Sequence, residues 1–200
     1  EIARLKGNGR LRGLVVTGCL PERHGGAVLE EIPEIDYLLG PGTFHTLPQV
    51  ARGLLAGSLP RGAHLGELDR LEPEWEPRVL SGLRHAAYLK IGEGCQHSCS
   101  FCIIPRLRGP HRSRPREELL AEAARLAEAG VRELTLVAQD TTSYGHDLYG
   151  RFSLADLLRR LDELPGLRWI RLLYTDPRSW TGELPGCSVR NRSSASVACR

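Results

Sequence analysis

Residues 94–102 read Gly-Cys-Gln-His-Ser-Cys-Ser-Phe-Cys, so that Cys95, Cys99 and Cys102 form a C-x3-C-x2-C run. Three thiolates this close can hold three irons of a 4Fe-4S cubane and leave the fourth iron open, whereas a fully ligated electron-transfer cluster takes four cysteines. An open iron can bind a substrate. The competing chemistry is a structural zinc site of the Cys3His kind, completed by His97 or His111. Zinc knuckles usually pair one C-x2-C with a second pair farther along, and this sequence has no second pair. A disulfide framework fits less well, because six cysteines in 200 residues without a secretory leader point to a reducing compartment and to metal chemistry.

Such a loop needs a rigid element before it, and the apolar stretch Ala86 to Ile91 reads as that strand. In parallel α/β sheets the active site gathers at the carboxyl ends of the strands. Three stretches obey this rule. Cys95 follows the strand at 86–91, Gln139 to Gly145 (QDTTSYG) follows a buried strand at Glu133 to Val137, and Cys19 follows a short strand at Leu11 to Thr17. A lone cysteine at a strand end is more often a small buried hydrophobe than a ligand.

The remaining pattern predicts an α/β fold in two parts. Strand Leu11–Thr17, helix Ala27–Ile32, strand Tyr37–Leu39 and helix Thr46–Ala56 alternate as a small parallel layer over residues 1–56. From Gly57 to Leu83 the pattern gives way to Gly, Pro, Glu and Arg with Trp75 isolated, which reads as a linker. Residues 84–178 then read strand, helix, strand, helix, strand, the opening of a βα barrel. Pro115 suits a first helical position, Glu117 and Glu118 suit the positive end of the helix dipole, and Leu119, Leu120, Ala123, Ala124, Leu126 and Ala127 make one apolar stripe before Gly130. Ser153 to Asp156 reads as a capping box for a helix through Leu164, and Leu167 to Tyr174 as the third strand. Residues 179–200 are Ser- and Arg-rich without periodicity, an atypical, disordered tail in which Cys187 and Cys199 have no spacing partners.

Composition bounds the rest. A hydrophobic content of 41% supports a core, and a net charge of +3 from 27 basic and 24 acidic side chains is too mild to indicate nucleic-acid binding. The basic stretch Arg106, Arg108, His111, Arg112, Arg114 and Arg116 reads first as a solvated loop with some compensation of an anionic cluster, and second as a contact for an RNA-rich partner. No apolar run approaches the roughly 18 residues of a membrane span, so the expectation is a cytoplasmic protein with no membrane partner. The start Glu1-Ile2-Ala3 and the absence of Met read as a fragment.

Four stretches together closely resemble the radical S-adenosylmethionine (SAM) methylthiotransferases: VVTGCLPER (Val15 to Arg23), EEIPEID (Glu30 to Asp36), YLKIGEGCQHSCSFCIIPRLRGPHRSRP (Tyr88 to Pro115) and VAQDTTSYGHDLYG (Val137 to Gly150). Within that family the loop Asp140 to Gly145 and the segment Trp169 to Tyr174 resemble the branch that modifies an aspartate of ribosomal small-subunit protein twelve. The sister branch, which methylthiolates adenosine beside a tRNA anticodon, is the alternative, and a non-catalytic iron-sulfur or zinc module is a further one. The resemblance implies that Cys95, Cys99 and Cys102 hold a 4Fe-4S cluster that chelates SAM, with Phe101 near the adenine; Gln139, at a strand end facing the cluster loop, reads either as a hydrogen-bond partner of SAM or as loop packing. It implies a second, auxiliary 4Fe-4S cluster for which Cys19 supplies one of three ligands. It also implies an electron donor such as flavodoxin or ferredoxin, the ribosome as partner, an incomplete N-terminal domain, a truncated barrel, and no turnover by the chain alone.

Overall fold

The computed structural model describes residues 2–68, 80 and 82–179. The chain divides into two compact units: residues up to 72, which take in 106–108, and the remainder from 73 onward.

The first unit is built on three short parallel strands. Helix α1 (Ile2–Gly7) precedes β1 (Val15–Thr17), and two one-and-a-half-turn helices follow, α2 (Cys19–His24) and α3 (Gly26–Glu31). Then come β2 (Tyr37–Leu39), a 3-10 turn at Pro41–Thr46, α4 (Leu47–Ala56) and β3 (Gly62–His64). The sheet order is β1-β2-β3, with Val16 opposite Leu38 and Leu38 opposite Ala63. Val28, Ile35 and Leu38 are buried at its centre, with Leu14, Val16, Leu29 and Leu65 packed against them.

The strand β3 corrects the expectation of a continuous linker from Gly57 to Leu83. Gly-Ala-His carries no β-branched run, so no local propensity marks it. What makes it a strand is the open edge of β2, beside which Gly62 donates to the Asp36 carbonyl at 3.1 Å and Gly40 donates to the His64 carbonyl at 3.0 Å. Trp75 lies outside the described residues, as do positions 180–200 of the expected tail with Cys187 and Cys199. The helix α2 was also unmarked by any cap: it starts directly at Cys19 after Gly18, whose φ of 106° is open only to glycine without strain.

The second unit carries the strands that place the cysteine loop. In chain order it contains β4 (Ala86–Lys90), β5 (Gly92–Glu93), α5 (Ile104–Arg108, shared with the first unit), β6 (Arg112–Ser113), α6 (Arg116–Glu128), β7 (Glu133–Val137), α7 (His146–Tyr149), α8 (Leu154–Asp162), β8 (Trp169–Leu172) and a 3-10 turn at Pro177–Ser179. The main sheet is parallel in the order β4-β7-β8, with Leu89 opposite Leu136 and Leu136 opposite Leu172. Parallel neighbours require crossovers, and α6 and α8 supply them. Alternation along each strand buries Ala87, Leu89, Leu134, Leu136, Ile170 and Leu172 on one face, in one core with Leu119, Ala123 and Leu126 of α6 and Leu154, Leu157 and Leu161 of α8. The opposite face is polar: Tyr88, Thr135 and Arg171 stand in one row, and Arg171 pairs with Glu133 and stacks on Trp169 at 4.9 Å. A separate hairpin joins β5 and β6 in antiparallel pairing, Gly92 to Ser113 and Glu93 to Arg112.

Two helix starts differ from expectation. Pro115 sits one position before α6 as its cap residue, with extended ψ of 138°. The capping box at Ser153 does not form: the Ser153 hydroxyl donates to the Arg151 carbonyl at 3.0 Å, while Asp156 pairs with Arg116 of α6. An ion pair between two helices has displaced a local cap. Among the described residues no helix is long and apolar enough to cross a membrane.

Leu134 is fully buried at the centre of the sheet, so Leu134→Ala should lower stability by about 2–5 kcal/mol, read as a fall in the urea midpoint at constant slope. In the first unit Asp36 accepts from Lys6 Nζ at 2.6 Å and from the Leu14 amide at 2.7 Å. Burial pushes its pKa up, but these donors outweigh burial and hold it below the usual value. A carboxyl depressed in the folded state adds stability above its unfolded pKa and loses it as pH falls, so thermal stability should drop from about pH 4 downward. Asp36→Asn should flatten that limb in melts recorded down to about pH 3.

Candidate functional site

The cysteine loop leaves β4 through the one-residue step Ile91 and the strand β5, which fixes its entry. Gly94 has φ of 79°, and a Cβ there would stand 2.1 Å from the Pro110 carbonyl oxygen and 2.6 Å from that of Gly109. The close approach lets Cys95 donate its amide to the Gly109 carbonyl at 3.1 Å. Gly94 itself donates to Gln139 Oε1 at 2.7 Å, so Gln139, at the end of β7, holds the loop by its first residue. At the other end Cys102 donates to the Cys99 carbonyl at 3.0 Å and closes a tight turn. Cys95 is buried, Cys99 and Cys102 are half-buried, and Phe101 between them is 91% exposed.

Burial pushes the Cys95 thiol up, the His97 amide donating to it pulls it down, and the charges of Asp140, Cys102 and Cys99 push it up again. The three thiols therefore share one electrostatic environment. Cys19 belongs to the first unit, half-buried at the start of α2, and accepts from Arg108 Nε at 3.1 Å.

A buried carboxylate stands behind the loop. Asp140 is 3% exposed and accepts from the Thr142 amide at 3.0 Å, from the Thr142 and Ser143 hydroxyls, and from His97 Nε2 at 2.7 Å. Burial would raise its pKa, but the bonds from Ser143, Thr142 and His97 hold it below the ordinary carboxylate value. His97 Nε2 also lies 3.4 Å from Asp176, whose pKa is drawn down to about 2 by the guanidinium and amide of Arg178. The loop after β8 is tied in as well. Thr141 donates its amide to the Tyr174 carbonyl at 3.1 Å and its hydroxyl to the Leu173 carbonyl at 2.9 Å, and Asp176 donates to Thr142 Oγ1 at 3.1 Å. Tyr174 is held at φ of 61°, a conformation that a bulky residue adopts only where its surroundings impose it.

A second polar node grips the returning strand. Ser113 donates to Asp147 Oδ1 at 2.6 Å and accepts from the Gly145 amide at 2.8 Å, and its own amide donates to Asp147 Oδ2 at 2.7 Å. His111, 4% exposed, places Nε2 3.2 Å from the Ser113 hydroxyl, and burial pushes its pKa down. The zinc reading's two histidines have Nε2 engaged, His97 with Asp140 and His111 with Ser113, which leaves only Nδ1 of each as a ring ligand. Among the described residues no three His, Cys, Asp or Glu side chains converge to hold a single metal ion. In a cubane each thiolate binds its own iron, and three thiols spread along one loop suit that donor set.

A profile of the Radical SAM superfamily matches residues 89–178, the stretch from the end of β4 to the 3-10 turn after β8. The chain carries a radical SAM domain over that stretch. It is 47% identical over 191 residues, 96% of its length, to the ribosomal protein uS12 methylthiotransferase RimO of Desulforamulus reducens. It is 47% identical over 184 residues, 92% of its length, to the same-named protein of a Thermoanaerobacter species, strain X514. The chain spans 43% and 42% of the lengths of these relatives. Among solved structures, the radical SAM methyltransferase TsrM from Kitasatospora setae resembles 88% of this chain and 39% of its own with a TM-score of 0.59, at 17% identity, a likeness of fold.

Of the residues singled out in the sequence, the structure places Cys95, Cys99, Phe101 and Cys102 on one loop, with Gln139 after β7 bonded to Gly94 of that loop, while Cys19 lies in the first unit. Asp140 as the anchor of His97 went unread. Its signal was present, since Asp followed by Thr and Ser at the second and third positions is an Asx-turn sequence whose carboxylate binds its own downstream amide and hydroxyls. Gly94→Ala must push the Gly109–Pro110 backbone aside at a left-handed position, and should cost about 1–3 kcal/mol, seen as a lower thermal midpoint than the neighbouring Gly82→Ala, which meets open space.

Proposed function

We propose that this chain is part of a radical SAM methylthiotransferase that adds a methylthio group to the β-carbon of an aspartate in ribosomal protein uS12. The observation that carries the reading is the extent of its likeness to proteins of that name, 47% over 96% of the chain, running through the C-x3-C-x2-C loop. In this reading residues 1–56 belong to the family's N-terminal domain and 84–178 to the opening of its radical SAM domain. Cys95, Cys99 and Cys102 hold the 4Fe-4S cluster that binds SAM, and Cys19 is one ligand of an auxiliary cluster. Phe101, exposed on the turn between Cys99 and Cys102, packs on the SAM adenine, and Gln139 supports SAM from the end of β7. The chemistry supplied when cluster and SAM are bound is one-electron cleavage of SAM, which opens unactivated C–H bonds that no general base can reach.

The residues of the chain have defined tasks around that chemistry. Gln139 and the Gly109 carbonyl hold the two ends of the segment Gly94–Cys95, so the first thiol is presented from a fixed backbone. Asp140 keeps the mouth of the sheet closed between β7 and β8 through Thr142 and Asp176. An electron donor of the flavodoxin or ferredoxin class and a cytoplasmic site of action complete the proposal.

The whole protein carrying this chain, reconstituted with iron and sulfide without oxygen, should cleave SAM and place the methylthio mass increment on uS12 in ribosomes. Replacing Cys95, Cys99 and Cys102 together by Ala should abolish the visible iron-sulfur absorbance and the product. Modification of adenosine in bulk tRNA with none on uS12 would transfer the protein to the tRNA branch, and iron binding without SAM cleavage would make it a binding module.

A further inference from the structure

Along β4, Ala87 and Leu89 are buried in the core with α6, and the side chains between and beyond them face the open side of the sheet. Tyr88 stands there 64% exposed, and after it, at the carboxyl end of the strand, comes Lys90. Lys90 lies opposite Val137 of β7, just before the segment that carries Gln139, and its carbonyl accepts from Arg114 Nη1 at 3.0 Å. Its ammonium pairs with Glu93, and the two ends of that pair differ: the Glu93 side chain is 9% exposed and that of Lys90 41%. The half of the pair shown to the open face is therefore the cation. Nearby charges are already matched, Arg171 with Glu133, Asp176 with Arg178, and Asp140 with its own turn. We propose that Lys90 is a specificity-determining residue: its ammonium holds the side-chain carboxylate of the aspartate that the protein modifies.

The inference rests on the reading of the substrate as an aspartate of uS12. An ammonium carries three N–H donors, so pairing with Glu93 does not exhaust it, and a second carboxylate can share the cation. In aspartate the carboxyl carbon is bonded directly to the β-carbon, so a carboxylate fixed at this edge of the sheet leaves the reacting carbon one bond away. Lys90 ends the strand that leads through β5 into Cys95, which puts the cation and the candidate cluster loop on one continuous element. An asparagine carboxamide brings no charge to this cation and accepts a weaker hydrogen bond than a carboxylate. A nucleic-acid phosphate would be drawn to the same charge, and the experiment separates the two.

Binding is measured with the whole protein carrying this chain against uS12 and against uS12 whose target aspartate is changed to Asn. The parent should bind the Asp form about tenfold more tightly than the Asn form, a factor that one hydrogen bond to a charged group can supply. In Lys90→Met the preference should shrink to within about twofold, whereas Lys90→Arg, which keeps the charge and its donors, should retain most of it. Lys90→Met also removes the cation from beside the buried Glu93 carboxylate, so if that variant does not fold, Lys90→Met combined with Glu93→Gln should show the same loss of preference. A parent indifferent to the Asn change overturns the proposal, and so does a Lys90→Met protein, or the double variant in its place, with the parent's preference. Affinity for bulk tRNA that falls in Lys90→Met as steeply as affinity for uS12 also overturns it, since the cation would then serve any polyanion. A parent that binds neither form of uS12 but binds and methylthiolates tRNA overturns the uS12 reading itself, and the role of Lys90 falls with it.

Discussion

A carboxylate taken out of water must be met by donors or it will not stay charged, and Asp140, 3% exposed, meets that demand with four donors. Its donors come from its own turn, through Thr142 and Ser143, and from the cysteine loop, through His97. Thr142, held by the same carboxylate, receives the amide of Asp176 from beyond β8. One buried charge therefore binds together the loops that follow β4, β7 and β8. It can do so only because the three strands are parallel and in register, so that their carboxyl ends lie at one edge. A slip of one residue in β7 would turn Leu134 and Leu136 away from α6 and α8 and would carry Asp140 out of reach.

The short hairpin of β5 and β6 holds the same loop from behind. Gly94 and Cys95 lie against the Gly109–Pro110 backbone, an approach that any side chain at 94 would block. Ser113 then fastens the returning strand to the segment before α8, exchanging bonds with Asp147 and Gly145. The cysteine loop is thus held at its start by polar contacts to two different elements, while its tip, where Phe101 stands exposed, carries little packing. The loop is therefore fixed where Cys95 leaves the hairpin and open where Cys99, Phe101 and Cys102 stand.

Elements whose stability is local were legible in the sequence. The apolar stripe of α6, the strands at 86–90, 133–137 and 169–172, and the stop at Gly130 all declare themselves through periodicity or backbone freedom. The cysteine spacing marked the candidate site. What the sequence did not disclose depends on partners distant in the chain. The strand β3 exists because β2 has an open edge, the β5–β6 hairpin because Gly94 permits a close approach, and the missing capping box at Ser153 because Arg116 claims Asp156. His97 belongs to this class too: nothing about its neighbours in sequence says that a carboxylate 43 positions later will take its ring nitrogen.

The basic stretch after the cysteines shows how context decides what a run of charges means. Arg114 pairs with Glu122 at 2.8 Å and also donates to the Lys90 carbonyl, which ties the turn before α6 to the end of β4. Arg116 joins α6 to α8 through Asp156 and lies 5.8 Å from the Tyr149 ring. Arg112 donates to the Pro110 carbonyl within its own hairpin. A polyanion would have to compete with these acceptors for each guanidinium, and with the geometry that they maintain. Long side chains with planar, multidentate heads suit such bracing between backbone carbonyls and carboxylates. The positive charge beside the cysteines therefore serves first to fasten the elements on which the loop stands.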